Sequence, residues 1–215
     1  MNKIIYLLFA VLPLFGLVAC EDNLDSIEST EFSADWVNRN QTFFFERMDE
    51  AKQAVKEAQA TYGEQWEEHC DWRIFRSYMK PEGGNVMDSI CVKIIERGEG
   101  QTVPLYSDQA KLNYMGHLIP TENHPNGFVF DHSSLYADED YVFDPNFAAP
   151  VTMVVGNTIE GFSTAIQHMH TGDRWMVYIP SLLGYGAVAQ NAIPQFSTLV
   201  FDVQLVSFQR IEMAP

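Results

Sequence analysis

The stretch Gln109-Ala110-Lys111-Leu112-Asn113-Tyr114-Met115-Gly116-His117-Leu118 decides how the chain is read. In an extended strand successive side chains point to opposite faces. Ala110, Leu112, Tyr114 and Gly116 therefore share one side, and Lys111, Asn113, Met115 and His117 the other. One side is dry and carries a tyrosine, as in a strand whose sheet has a covered face. The same alternation predicts strands near Trp72 to Met79 and Ser89 to Arg97 upstream, and near Arg174 to Ile179 and Thr198 to Phe208 downstream. Pro81-Glu82-Gly83-Gly84 and Gly98-Glu99-Gly100 punctuate the upstream strands. Between Phe162 and Gly172 the pattern predicts one short helix, Ser163 to His170. Several strands around one short helix make an α+β domain.

Upstream of the strands the period changes. Phe44, Met48, Ala51, Val55, Ala58 and Tyr62 recur at steps of four and three, with Lys, Glu and Gln opposite, which predicts an amphipathic helix over 33–62 ending at Gly63. Phe43, Phe44 and Phe45 exceed what one narrow stripe buries, so the helix is expected to pack against the following domain or against a second copy of itself as a homodimer. Before it, Lys3 and the apolar stretch Ile4 to Val18 read as an export signal, too short to span a bilayer. Residues 21–31 are acidic and polar and read as a flexible tether.

The chain has 215 residues, enough for one core and an accessory segment. With 13 basic and 29 acidic residues its formal net charge is −16, which argues against nucleic acid as a partner, since phosphate binding rests on Lys and Arg. Of three cysteines, Cys70 and Cys91 either pair or stay free; a bridge requires a Cβ separation that sequence does not report.

Three stretches in order resemble the signature of the FKBP family of peptidyl-prolyl cis-trans isomerases. The first is Lys111 to His117 with Phe128-Val129-Phe130-Asp131-His132-Ser133-Ser134; the second is Gly161-Phe162; the third is Gly184-Tyr185-Gly186-Ala187 with Ile193-Pro194 and Thr198 to Val203. The resemblance covers about residues 87 to 209 and implies a twisted antiparallel half-barrel of β-sheet wrapped around a short α-helix, preceded here by the amphipathic helix. Leu17-Val18-Ala19-Cys20 resembles the bacterial lipobox, implying cleavage before Cys20 and a diacylglycerol on its thiol. The expected organisation is a signal peptide over 1–19, a lipidated tether over 20–31, a helical and extended segment over 32–86 and the FKBP-like domain over 87–215.

The family resemblance implies isomerisation of X–Pro bonds in exported proteins of the bacterial cell envelope, with no cofactor; the alternative is a binding or chaperone module that has lost turnover. Carried over residue by residue, it places catalytic positions at Tyr114, Phe130, Asp131, Tyr185 and Phe201, and substrate-binding positions at Ile159, Phe162, Ile193, Val151 and Met153. Phe162 stands where the family usually has a tryptophan, and Val151 and Met153 where it usually has two phenylalanines. No Lys or Arg occurs between Asp131 and Arg174, where the family commonly has a basic partner for the aspartate. The acidic segment from His132 to Pro150 is expected to border the pocket.

Competing chemistries fit less well. His168 and His170 are two apart at a helix end, which directs their rings apart, so no metal site is expected. Asp131, His132, Ser133 and Ser134 contain the residue types of a hydrolytic triad, but no Gly-x-Ser-x-Gly elbow is present and turn chemistry explains the serines better.

Overall fold

The computed structural model describes residues 32, 35–80, 82, 84–135 and 142–211. The expected signal peptide, Cys20, the tether and the acidic run Asp138 to Asp140 lie outside these residues. Seven strands form one antiparallel sheet: β1 (Trp72–Arg76), β2 (Ser89–Glu96), β3 (Gln109–His117), β4 (Val129–His132), β5 (Val151–Val154), β6 (Arg174–Ile179) and β7 (Leu199–Gln209). Two helices accompany it, α1 (Trp36–Tyr62) and α2 (Glu160–Ile166). The order is β1, β2, β6, β7, β3, β4. Strand β7 pairs with β3 from Gln109 to His117, so β3 shares its other edge between β5, at Gln109 to Leu112, and β4, at Met115 to His117. Where that edge changes partner, Ser133 takes over: its N–H donates to the Tyr114 carbonyl at 2.9 Å, and its Oγ accepts from the Tyr114 N–H at 2.8 Å.

The inner face of the sheet carries the main core. Ile90, Val92, Leu112, Val177, Ile179, Leu199, Val203 and Leu205 are buried there with Phe162, Ala165 and Ile166 of α2. Helix α2 starts three residues and ends four residues earlier than expected: it spans Glu160–Ile166 rather than Ser163 to His170. Its first turn is close to the sheet because Gly161 has no side chain; a Cβ there would run into Ile179.

Helix α1 covers the outer face. Its buried residues Trp36, Asn40, Phe44, Met48, Ala51 and Ala58 follow helical spacing, and a second core joins Phe44, Met48 and Ala51 to Cys91 of β2. This explains why β2 is buried on both faces over its first half rather than alternating. The three phenylalanines are divided: Phe44 is fully buried, Phe43 packs against Tyr178 and the main core, and Phe45 is exposed. Of the two roles expected for α1, packing on its own domain uses this face. Tyr62, expected on the stripe, is exposed and stacks on His69 instead, with ring centroids 4.0 Å apart.

The boundary expected between residues 86 and 87 falls inside the sheet, because β1 pairs with β2 from Trp72 opposite Lys93 to Arg76 opposite Ser89. Backbone hydrogen bonding across that pair makes the strand before residue 87 part of the domain. Cys70 and Cys91 are buried free thiols. Among the described residues no helix is long and apolar enough to cross a membrane.

Candidate active site

An open cavity of about 720 Å³ lies between the inner face of the sheet and α2. Strand β3 contributes Tyr114, β4 contributes Phe130 and Asp131, β5 contributes Met153 and β7 contributes Phe201. Ile159 and Phe162 come from the start of α2, and Tyr185 and Ile193 from the long connection between β6 and β7. Strand periodicity explains the convergence, since Tyr114 and Phe201 point inward from neighbouring strands.

Four rings make the wall. Phe162 and Phe201 lie 4.7 Å apart between centroids, Phe130 meets Phe201 edge-on at 5.5 Å, and Tyr114 meets Phe162 edge-on at 6.1 Å. Edge-to-face contact sets the positive edge of one ring against the negative face of another. Gly116 makes the meeting of Phe130 and Phe201 possible: a Cβ there would lie 2.6 Å from both rings. Phe162 and Phe201 are buried to 4% and 7% exposure, so a phenylalanine suffices for an aromatic base.

The polar groups sit at the mouth. The Tyr114 hydroxyl donates to Asp131 Oδ2 at 2.9 Å. Burial, and then the hydrogen bond to Asp131, push the Tyr114 hydroxyl well above the usual tyrosine range, so it stays protonated and donating. Tyr114 thus supplies a partner to the carboxylate that the sequence leaves without a nearby Lys or Arg. Tyr185 is 37% exposed, and burial followed by the charge of Asp131 raises its hydroxyl as well. A neutral, donating phenol at the rim is suited to bind a carbonyl.

Of the expected site residues, the fold brings Tyr114, Phe130, Asp131, Ile159, Phe162, Tyr185, Ile193, Phe201 and Met153 to the cavity. Val151 is not brought in: it is exposed, two residues before Met153 on β5 and opposite Leu112 of β3. Asn157, Thr158, Gln190, Asn191 and Ala192 line the cavity unanticipated by sequence reading. They lie on turns and carry no periodicity; the signal available was Asn191, whose φ of 44° belongs to the left-handed region that asparagine tolerates. None of the described residues of the segment 132–150 lines the cavity. Of its described residues, Ser134 pairs opposite Ala148, and Phe143 is held on the other side of the sheet, where Arg174 donates to its carbonyl and makes a two-pronged ion pair with Asp202 at 2.8 and 2.9 Å. His168 and His170 lie apart from the cavity; His168 stacks on Phe75 at 4.0 Å.

Residues 101–206 match the model of the family described as FKBP-type peptidyl-prolyl cis-trans isomerase. The chain is similar to the macrophage infectivity potentiator of Trypanosoma cruzi, 32% identical over 143 residues that cover 64% of this chain and 64% of that one. It is also similar to the FKBP-type 22 kDa peptidyl-prolyl cis-trans isomerase of Escherichia coli K12, 36% identical over 129 residues, 59% of this chain and 54% of that one. The crystal structure of FkpA from Escherichia coli aligns at 22% identity with a TM-score of 0.46, over 80% of this chain and 63% of that one. The chain spans less than two thirds of the length of these two curated relatives.

Proposed function

We propose that this chain, whose residues 101–206 match the model of the FKBP-type peptidyl-prolyl cis-trans isomerase family, accelerates cis/trans exchange at X–Pro bonds of exported polypeptides. The observation that carries the reading is the open aromatic cavity walled by Tyr114, Phe130, Phe162 and Phe201, with Asp131 and Tyr185 at its mouth.

Resonance makes the amide planar and sets a rotation barrier of about 18–20 kcal/mol. The two X–Pro isomers are close in energy but exchange over tens to hundreds of seconds. Halfway through the rotation the nitrogen lone pair is no longer delocalised, and charge separation across the amide is lost. A water-poor aromatic wall disfavours the more polar planar form relative to this twisted one, and catalysis is that difference. Phe162 and Phe201 receive the pyrrolidine ring. The Tyr185 hydroxyl and the Ile159 N–H hold flanking carbonyls while the bond turns. Tyr114 keeps Asp131 fixed at the rim by donating its proton. No covalent bond forms or breaks, and no proton leaves the enzyme.

The alternative of a binding module without turnover would be favoured by a blocked cavity; the cavity is open among the described residues. The lipobox-like Leu17 to Cys20 supports export and a lipid anchor at Cys20 in the bacterial envelope. The exposed Phe45 on α1 is the feature that supports association of two copies through that helix. Isomerisation of short X–Pro peptides by residues 21–215 tests the activity. Wild-type acceleration that falls more than tenfold in Phe201→Ala, with native circular dichroism retained, supports it; absence of acceleration by folded wild type refutes it. Incorporation of labelled palmitate into wild type but not Cys20→Ser tests the anchor.

A further inference from the structure

A smaller cavity of about 150 Å³ opens beside the aromatic one, lined by Ser77, Tyr78, Met79, Tyr106 and the polar face of α2. Thr158 lines both cavities, so they are neighbours. At about 30 Å³ per water in the liquid, this space corresponds to on the order of five waters, which suits one side chain rather than a folded partner.

Its rim is apolar and held in place. Tyr78, Met79 and Tyr106 are 57%, 65% and 51% exposed. The turn that presents the first two is fastened by Ser77. Its N–H donates to the Asp88 carbonyl at 2.9 Å, its carbonyl accepts from the Lys80 N–H at 3.0 Å, its Oγ accepts from the Met79 N–H at 3.1 Å, and its hydroxyl donates to the Glu160 carboxylate of α2. Tyr78 also stacks on His168 at 5.2 Å. Tyr106 is fixed from beneath: its carbonyl accepts from the Gly156 N–H at 2.8 Å, and any Cβ on Gly156 would enter its ring.

The floor has little polar recognition to offer. Thr164 Oγ1 donates to the Glu160 carbonyl, Gln167 Nε2 donates to the carbonyl and Oγ of Ser163, and Glu160 is engaged by Ser77. The Tyr78 and Tyr106 rings, held in place in water beside satisfied polar groups, favour an apolar or aromatic occupant, because their ordering cost is met before binding. Ser77, Tyr78 and Met79 precede residue 101, where the family match begins.

We propose that Tyr78, Met79 and Tyr106 form, with α2, a second subsite that takes an apolar or aromatic side chain of the polypeptide whose proline occupies the aromatic cavity. The identity of the occupant rests on the isomerase reading, and the adjacency of the two cavities at Thr158 lets one polypeptide reach both. The segment before the matched region thereby adds selectivity for sequence near the proline.

The test uses peptides with one X–Pro core and either Phe or Ser at successive positions on both sides, with kcat/KM and Kd measured for wild type and for Tyr78→Ser/Met79→Ser. Both substituted side chains are exposed, so the variant keeps its core. The expected result is a preference for Phe of about tenfold at one position in wild type, equivalent to about 1.4 kcal/mol. The double variant loses that preference while still isomerising the shortest peptide. A wild type indifferent to Phe at every position, or a preference that survives in the double variant, overturns the subsite. A wild type that turns over no peptide refutes the isomerase reading alone, and the Kd series then decides the subsite by the same two criteria.

Discussion

Asn40 of α1 and Thr198, at the head of β7, are joined by two hydrogen bonds across 158 residues of chain: the Thr198 N–H donates to Asn40 Oδ1 at 2.7 Å, and Thr198 Oγ1 donates to the Asn40 carbonyl at 3.0 Å. Both residues are buried. One turn earlier, Trp36 Nε1 donates to Ser197 Oγ at 3.0 Å. The accessory helix is thus fastened to the strand that carries Phe201, three residues beyond Thr198.

Asn40→Ala leaves the Thr198 N–H buried without that acceptor, a loss of about 1–3 kcal/mol. Urea unfolding is expected to show a lower midpoint at unchanged slope, since the surface exposed on unfolding stays the same. An unchanged midpoint would mean that α1 docks independently of this contact.

Gly116→Ala forces a Cβ between Phe130 and Phe201. Overpacking of this kind costs about 1–3 kcal/mol, and the rings that yield are those of the proposed proline wall. Peptide turnover is expected to fall at least tenfold while far-ultraviolet circular dichroism stays native. Gly156→Ala, which displaces Tyr106 rather than the wall, is expected to spare the short peptide; equal losses in both variants would argue against the wall's role.

Alkaline pH is expected to unfold the protein, and the sign follows from the direction of the shifts. Burial raises the Cys91 thiol from its ordinary 9.0 to about 12 and the Tyr178 hydroxyl from 10.0 to about 12. The folded state holds these protons where the unfolded chain releases them. Their contribution is complete below about pH 9 and is lost as pH rises towards 12. Thermal denaturation across this window, repeated with Cys91→Ala and Tyr178→Phe, should show a shallower alkaline decline in each variant.

Cys70 and Cys91 are buried and free. Thiol titration of residues 21–215 is expected to find two slow thiols in the native protein and two fast ones in denaturant. A thiol count of zero under both conditions would show that the two are bridged.

Much of this was legible in the sequence because periodicity is local. The alternation of Leu199, Phe201, Val203 and Leu205, and the helical spacing of Phe44, Met48 and Ala51, each state which face is buried. The short helix was displaced towards its C-terminus because Glu160-Gly161 carries no strong apolar signal, whereas the absence of a side chain at Gly161 is what admits the helix to Ile179. Val151 and Met153 were both expected on the pocket wall by correspondence alone; of the two, the fold brings Met153 there.

By itself the sequence determined the α+β class, the strands and their buried faces and the amphipathic first helix, since each follows from side-chain order along the chain, while most of the residues that meet at the aromatic cavity were implied by its resemblance to the FKBP family. Only the tertiary structure decided that β1 belongs to the domain, that the Tyr114 hydroxyl donates to Asp131, that Asn40 holds Thr198, and that Ser77 carries Tyr78 and Met79 to the edge of the smaller cavity. These are pairings between residues 13 to 158 positions apart. A hydrogen bond depends on where the fold brings two groups together, and residue order alone does not carry that distance.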